Sequence, residues 1–90
     1  MTNQDLESLR KKIIETTVFP TVYMFKFIVS SDNRKIAMVE NLFDENAEVH
    51  TKESGSGKYI SITSRQVAMN ADEIIEVYRK ASGIEGIMFL

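Results

Sequence analysis

The sequence predicts an α+β fold in which a four-stranded antiparallel sheet carries two helices on one face, after an extra N-terminal helix. Three observations support this prediction. β-Branched and aromatic side chains dominate residues 21–30, as is typical of strands. Residues 47–53 and 58–67 alternate on either side of a Gly-Ser-Gly turn, and two further segments repeat apolar residues at helical spacing. Short, right-handed connections turn the order βαββαβ into the ferredoxin-like two-layer sandwich.

Length and composition limit the chain to one domain and exclude several classes of protein. Ninety residues are enough for a single core, which we assign to residues 18–90, with residues 1–17 as a helical extension. The chain has no cysteine, so it has no disulfide and no thiolate metal site, and we expect it in the cytoplasm. A net charge of −2 disfavours general nucleic-acid binding, and no apolar run is long enough to span a membrane.

The periodicities also predict which side chains form the core. On the first strand, Phe25, Phe27 and Val29 point one way, while Val22, Met24 and Ile28 point the other. Asp32 or Ser31 can cap the first helix of the domain, and Asn70 can cap the second. The side chains that should be buried together are Phe25, Phe27, Ile36, Val39, Ile60, Ile62, Ile74, Val77 and Tyr78.

Two segments carry a resemblance to a known family. Residues 19–26 read Phe-Pro-Thr-Val-Tyr-Met-Phe-Lys, and the hairpin 54–63 reads Ser-Gly-Ser-Gly-Lys-Tyr-Ile-Ser-Ile-Thr. Together with Val77 and Tyr78, and with Met88 and Leu90 at the end, they resemble the YbeD-like family of small bacterial proteins over residues 18–90. The resemblance implies a ferredoxin-like domain similar to the ACT modules that regulate amino-acid enzymes, with a suggested link to lipoate metabolism. It brings no catalytic residues.

Candidate chemical sites are few, and each has a simpler explanation. Residues 55–58 read Gly-Ser-Gly-Lys, but Tyr59 and a strand follow them, whereas a phosphate loop needs a Ser or Thr and a helix. His50 shares a strand face with Glu48 and Lys52, and a lysine there disfavours a divalent cation. The hydroxyls on the third strand have no neighbouring base in the sequence. We therefore expect no enzyme activity, no cofactor and no metal.

The best candidate for a functional surface is the sheet face turned away from the two helices. RNA-recognition domains stack bases on this face, but the chain has one aromatic residue there and no basic surplus. ACT modules bind effectors beside a glycine-containing loop after the first strand, and residues 30–34 contain no glycine. The residues that we expect on this surface are Val22, Met24, Lys26, Ile28, Tyr59, Ser61, Thr63 and Arg65.

These residues predict a non-catalytic regulatory or protein-interaction domain. Its partner is an unidentified protein, with a second copy of the chain as one candidate. An ACT-like small-molecule sensor is the alternative, and an RNA-binding module follows it. The N-terminal helix, with an apolar stripe at Leu6, Leu9 and Ile13, must pack on its own domain, on a neighbour or over the open sheet face.

Overall fold

The computed structural model describes residues 1–90 and contains one four-stranded antiparallel sheet in the order β2-β3-β1-β4. This is the predicted α+β, ferredoxin-like arrangement, and the extra helix precedes it. The elements are α1 (Asn3–Thr16), β1 (Thr21–Ser30), α2 (Asn33–Glu40), β2 (Glu48–Glu53), β3 (Tyr59–Ala68), α3 (Ala71–Ala81) and β4 (Met88–Phe89).

Small polar residues define where the helices begin. The Asp32 side chain accepts a hydrogen bond from the Arg34 backbone N–H at 2.8 Å. The Asn70 side chain accepts one from the Glu73 backbone N–H at 3.0 Å. These bonds satisfy amide groups that have no partner inside the helix, and they confirm both predicted caps. Because the caps fix the helix starts, they also fix which residues of α2 and α3 face the sheet.

The core lies between the sheet and the helices. Seven of the nine predicted core residues are buried, and the other two, Ile36 and Ile60, are half-buried. In α2, Val39 is the one buried residue, and Ile36 packs at the margin of the core. Ile60 lies opposite Val29 near the hairpin end of β3. Aromatic rings fill much of the core, and Phe27 contacts Phe43, Tyr78 and Phe89 with ring centroids 5.4–5.9 Å apart.

The N-terminal helix packs on α3. Leu6 and Ile13 of α1 are buried and belong to the same apolar cluster as the sheet residues. At the surface, the Arg10 Nε donates to the Asp72 Oδ1 at 2.7 Å. Of the three placements open to α1, the helix adopts the one on its own domain, and it leaves the other sheet face uncovered. The boundary between a helical extension, residues 1–17, and the domain, residues 18–90, stays a prediction.

Candidate interaction surface

The strand register brings all eight predicted surface residues onto one face of the sheet. On β1, Val22, Met24, Lys26 and Ile28 alternate with the buried residues. On β3, Arg65, Thr63 and Ser61 lie directly opposite Met24, Lys26 and Ile28, and Tyr59 lies at the hairpin end. Directly opposed residues share a face of an antiparallel sheet. We call this surface, which faces away from the helices, the open face.

Three further apolar residues belong to the open face and were not predicted. Val67 lies opposite Val22, and Met88 lies opposite Ile28. Leu90 follows β4, and its N–H donates to the Lys26 carbonyl at 3.0 Å. Alternation continued from Arg65 along β3 would have found Val67. The register of β4 against β1 has no signal in the sequence, so Met88 and Leu90 could not have been found.

No helix covers these side chains. Val22, Val67 and Leu90 each leave more than half of their surface accessible, at 65%, 57% and 70%. Met24 and Met88 are exposed too, and Ile28 is half-buried. The apolar residues form two groups, one around Val22 and Met24 and one around Ile28, with Lys26 between them on β1. Each group is an exposed apolar patch, and such patches are typical of interaction sites.

The open face is basic although the chain is acidic. Lys26, Lys52 and Arg65 lie on it with one carboxylate, Glu48. The rest of the chain therefore holds eight of the 11 Lys and Arg residues but 12 of the 13 Asp and Glu residues. The open face carries a formal charge of +2 and the remainder −4, which together give the chain its −2. The surface thus offers apolar groups inside a positive field.

Glu48 is held ionised at the edge of this surface. Its Oε1 lies 2.9 Å from the Nε2 of His50. The hydrogen bond from His50 lowers the pKa of the Glu48 carboxyl, and the positive charges of His50 and Arg65 lower it further. His50 itself is exposed, as the sequence predicted. Nowhere in the chain do three or more His, Asp or Glu side chains cluster as metal ligands.

The other candidate sites have plain structural roles. Residues 55–57 form the tight turn between β2 and β3, and Gly57 has a positive φ of 74°, which glycine adopts without strain. A strand follows this turn, so no helix N-terminus can bind phosphate there. His50 lies opposite Thr63, but no hydrogen bond joins the ring to the Thr63 hydroxyl. Thr63 therefore has no base that would activate it as a nucleophile.

The concave regions of the surface are shallow. One depression of about 220 Å³ lies on the open face at its hairpin end, and its lining residues are Ile28, Lys52, Glu53, Ser54, Gly55, Tyr59 and Ser61. The largest depression, of about 470 Å³, lies on the polar outer side of α1 and has Ile14 as its one hydrophobic lining residue. Of the two hydrophobic residues that line the depression on the open face, Ile28 is half-buried and Tyr59 is exposed.

Residues 15–90 match a family model described as "Protein of unknown function (DUF493)". The chain belongs to this family. It is similar to a UPF0250 protein of Shewanella halifaxensis (strain HAW-EB4), with 28% identity over 83 residues that cover 88% of this chain and 94% of that protein. A UPF0250 protein of Shewanella sp. (strain ANA-3) is 29% identical with the same coverage.

Membership of the DUF493 family confirms the resemblance of residues 19–26 and 54–63 to the YbeD-like proteins. No solved structure matches the chain. None of the helices is both long enough and apolar enough to cross a membrane.

Proposed function

We propose that this DUF493 protein is a non-catalytic regulatory domain that binds a partner protein through the open face of its sheet. The observation that carries the proposal is the apolar surface around Met24, which no other part of the chain covers. The partner is a protein surface with an apolar centre and acidic side chains around it. We place the interaction in the cytoplasm, as the cysteine-free sequence predicts.

The composition of the open face supports a protein partner. Methionine, arginine and aromatic residues are enriched at the centres of protein interfaces, and the open face has Met24, Met88, Arg65 and Tyr59. Flexible methionine side chains also adapt to the shape of a partner. Burial of these apolar side chains removes them from water and supplies the driving force for binding.

The charge of the open face supports an acidic partner. Lys26 and Arg65 lie beside the apolar residues, so a partner with carboxylates around its apolar centre gains electrostatic attraction. A second copy stacked face to face on this surface brings like charges together, which opposes that mode of self-association. Binding to an acidic partner should therefore weaken as salt is added.

Two other functions receive less support. Base stacking needs aromatic side chains at the centres of β1 and β3, and here these positions are Lys26 and Thr63, with Tyr59 at the end of its strand. A small-molecule sensor needs a pocket of roughly 300–1,000 Å³. The depression beside Tyr59 holds only about 220 Å³, and the larger one on α1 has a single hydrophobic lining residue, Ile14.

Site-specific crosslinking tests the proposal. A photoreactive amino acid replaces Met24 in the native host, and in a second strain it replaces Met38, an exposed methionine on α2 that serves as the matched control. We expect a covalent adduct with one protein from position 24 and no such adduct from position 38. The captured protein is then purified, and its affinity is measured for the unmodified chain, Met24→Glu and Met38→Glu.

The proposal predicts that Met24→Glu weakens binding at least about tenfold, because a buried interface position then carries an unpaired carboxylate. Met38→Glu should bind like the unmodified chain. Equal crosslinking from both positions, or equal binding by both variants, contradicts the proposal. An adduct from position 24 that is destroyed by nuclease would instead establish RNA as the ligand.

A further inference from the structure

The outer edge of β2 is an unused row of backbone hydrogen-bonding groups. The Ser54 N–H donates to the Tyr59 carbonyl at 2.8 Å, which makes these two residues a hydrogen-bonded pair of the β2–β3 ladder. Because such pairs alternate, the backbone groups of Glu48, His50 and Lys52 point toward β3. Those of Val49 and Thr51 point outward, where no other strand of the sheet lies.

The alternation limits how a second copy of β2 can pair with the first. In an antiparallel pair related by a two-fold axis, residues whose backbone groups point outward must lie opposite residues of the same kind on the other copy. This condition is met only when the axis passes through a residue, so one residue must lie opposite itself. With His50 opposite itself, Val49 lies opposite Thr51, and Glu48 lies opposite Lys52 of the other copy. This register therefore makes two ion pairs, one on each side of the axis.

The neighbouring registers are less favourable. With Thr51 opposite itself, His50 lies opposite Lys52 of the other copy, and Glu48 has no cation opposite it. With Val49 opposite itself, Glu48 lies opposite His50 of the other copy, but only residues 48–50 of β2 overlap because the axis lies near one end of the strand, which spans Glu48–Glu53. Longer overlap together with the opposed Glu48 and Lys52 charges thus favours the register centred on His50, since opposed charges of opposite sign stabilise a strand pair.

We propose that two copies of this chain pair through the outer edges of β2, antiparallel, with His50 opposite His50 and each Glu48 opposite a Lys52. Within the chain, the Glu48 carboxylate hydrogen-bonds only to His50, so it remains available to a Lys52 of the other copy. Opposed side chains lie on one face, so the two four-stranded sheets join and their open faces form one continuous surface. This inference does not depend on the open face having a partner protein.

Engineered cysteines test the register. The chain has no cysteine, so one introduced cysteine per chain reports only on contacts between copies. His50→Cys places two sulfurs in a non-hydrogen-bonded pair, where the Cα atoms are ~4.5 Å apart and a disulfide can form. Lys52→Cys is the matched control on the same face, and its two Cα atoms are about 13 Å apart in this register.

We expect His50→Cys to form a covalent dimer at least about ten times faster than Lys52→Cys under mild oxidation, because a disulfide cannot bridge Cα atoms more than ~7 Å apart. Equal rates for the two variants contradict the proposed register. Faster dimerisation of Thr51→Cys than of His50→Cys would assign the axis to Thr51 and contradict it as well.

Charge reversal tests the ion pairs without a covalent bond. Sedimentation over a concentration series measures the dimer Kd, which Glu48→Lys should raise about tenfold, because both opposed pairs become Lys–Lys. The double variant Glu48→Lys/Lys52→Glu should restore the original Kd. Glu53→Lys is the control, since it changes the charge equally but lies opposite the uncharged Ala47 of the other copy in this register. A monomer at every concentration, or no rescue by the double variant, overturns the proposal.

Discussion

The two faces of β1 have similar apolar side chains but opposite surroundings. Phe27 is 0% exposed, whereas Met24, three residues earlier on the same strand, is 52% exposed. Phe27 packs among the rings of Phe43, Tyr78 and Phe89, and Met24 has no helix above it. Apolar character alone therefore does not decide burial. The helices cover the face that carries Phe25, Phe27 and Val29, which we call the covered face, and the open face keeps its apolar residues exposed.

The largest expected effect of a single substitution is on the covered face. Phe27→Ala leaves a cavity among packed aromatic rings, and we expect it to lower the free energy of unfolding by ~3–5 kcal/mol. Small domains are often stable by only ~5–15 kcal/mol, so the variant should unfold at a much lower urea concentration. A loss below about 1 kcal/mol would mean that the two faces of β1 are exchanged.

The next effect concerns α1, which packs on α3 and leaves the open face exposed. Ile13 of α1 is buried against α3, so Ile13→Ala should lower the free energy of unfolding by about 2 kcal/mol, toward the low end for a core position. Ile14 is exposed on the same helix, and Ile14→Ala is the matched control with little expected change. Equal effects of the two substitutions in urea unfolding would contradict the packing of α1 on α3.

A smaller effect is expected from one hydrogen bond at the covered face. The hydroxyls of Tyr23 and Tyr78 are 3.1 Å apart. Tyr78→Phe removes this bond and should lower the free energy of unfolding by about 1 kcal/mol at neutral pH. Tyr59→Phe removes an exposed hydroxyl on the open face and should have no measurable effect. If the two variants unfold alike, the bond contributes nothing to stability.

The contribution of Tyr78 to stability should depend on pH in the alkaline range. Burial raises the pKa of the Tyr78 phenol above its ordinary value of 10.0, and the hydrogen bond with Tyr23 adds to the rise. Above about pH 10 the unfolded chain loses this proton while the folded chain keeps it, so the stability from Tyr78 is present below that pH and declines above it. The stability difference between the unmodified chain and Tyr78→Phe should therefore shrink above pH 10. A constant difference would contradict this linkage.

The smallest predicted change on the covered face is an increase in the free energy of unfolding. Ser64 is fully buried on β3, and its hydroxyl has no hydrogen-bond partner. Ser64→Ala removes the cost of this unpaired group and should raise the free energy of unfolding by about 0.5–1 kcal/mol. Ser61→Ala, on the open face of the same strand, is the contrasting variant: its hydroxyl donates to the Lys52 carbonyl at 3.3 Å, so its removal should bring no gain. A loss of stability in Ser64→Ala would mean that the hydroxyl has a partner.

The sequence assigns the two faces of β1 but not the extent of the helix that packs on one of them. Alternation of Phe25 and Phe27 with Met24 and Lys26 assigns both faces of β1, because a strand has a period of two residues. The length of α2 could not be read in the same way, since an apolar repeat continues past the end of the helix to Phe43.

Long-range placement is what the sequence cannot supply. The stripe of Leu6 and Ile13 shows that α1 needs apolar cover, but α3 as the cover follows only from the packed structure. Met88 belongs to the open face through a register that joins residues 60 positions apart. Periodicity describes one element at a time, so it predicts neither contact.

Met24→Glu separates a free open face from a covered one when unfolding and partner binding are measured on the same preparation. The exposed position predicts a change in the free energy of unfolding below about 0.5 kcal/mol. Affinity for the protein captured at position 24 should fall at least about tenfold. A loss of stability like that of Phe27→Ala would show that the face is covered. Unchanged binding would show that the partner protein does not use it.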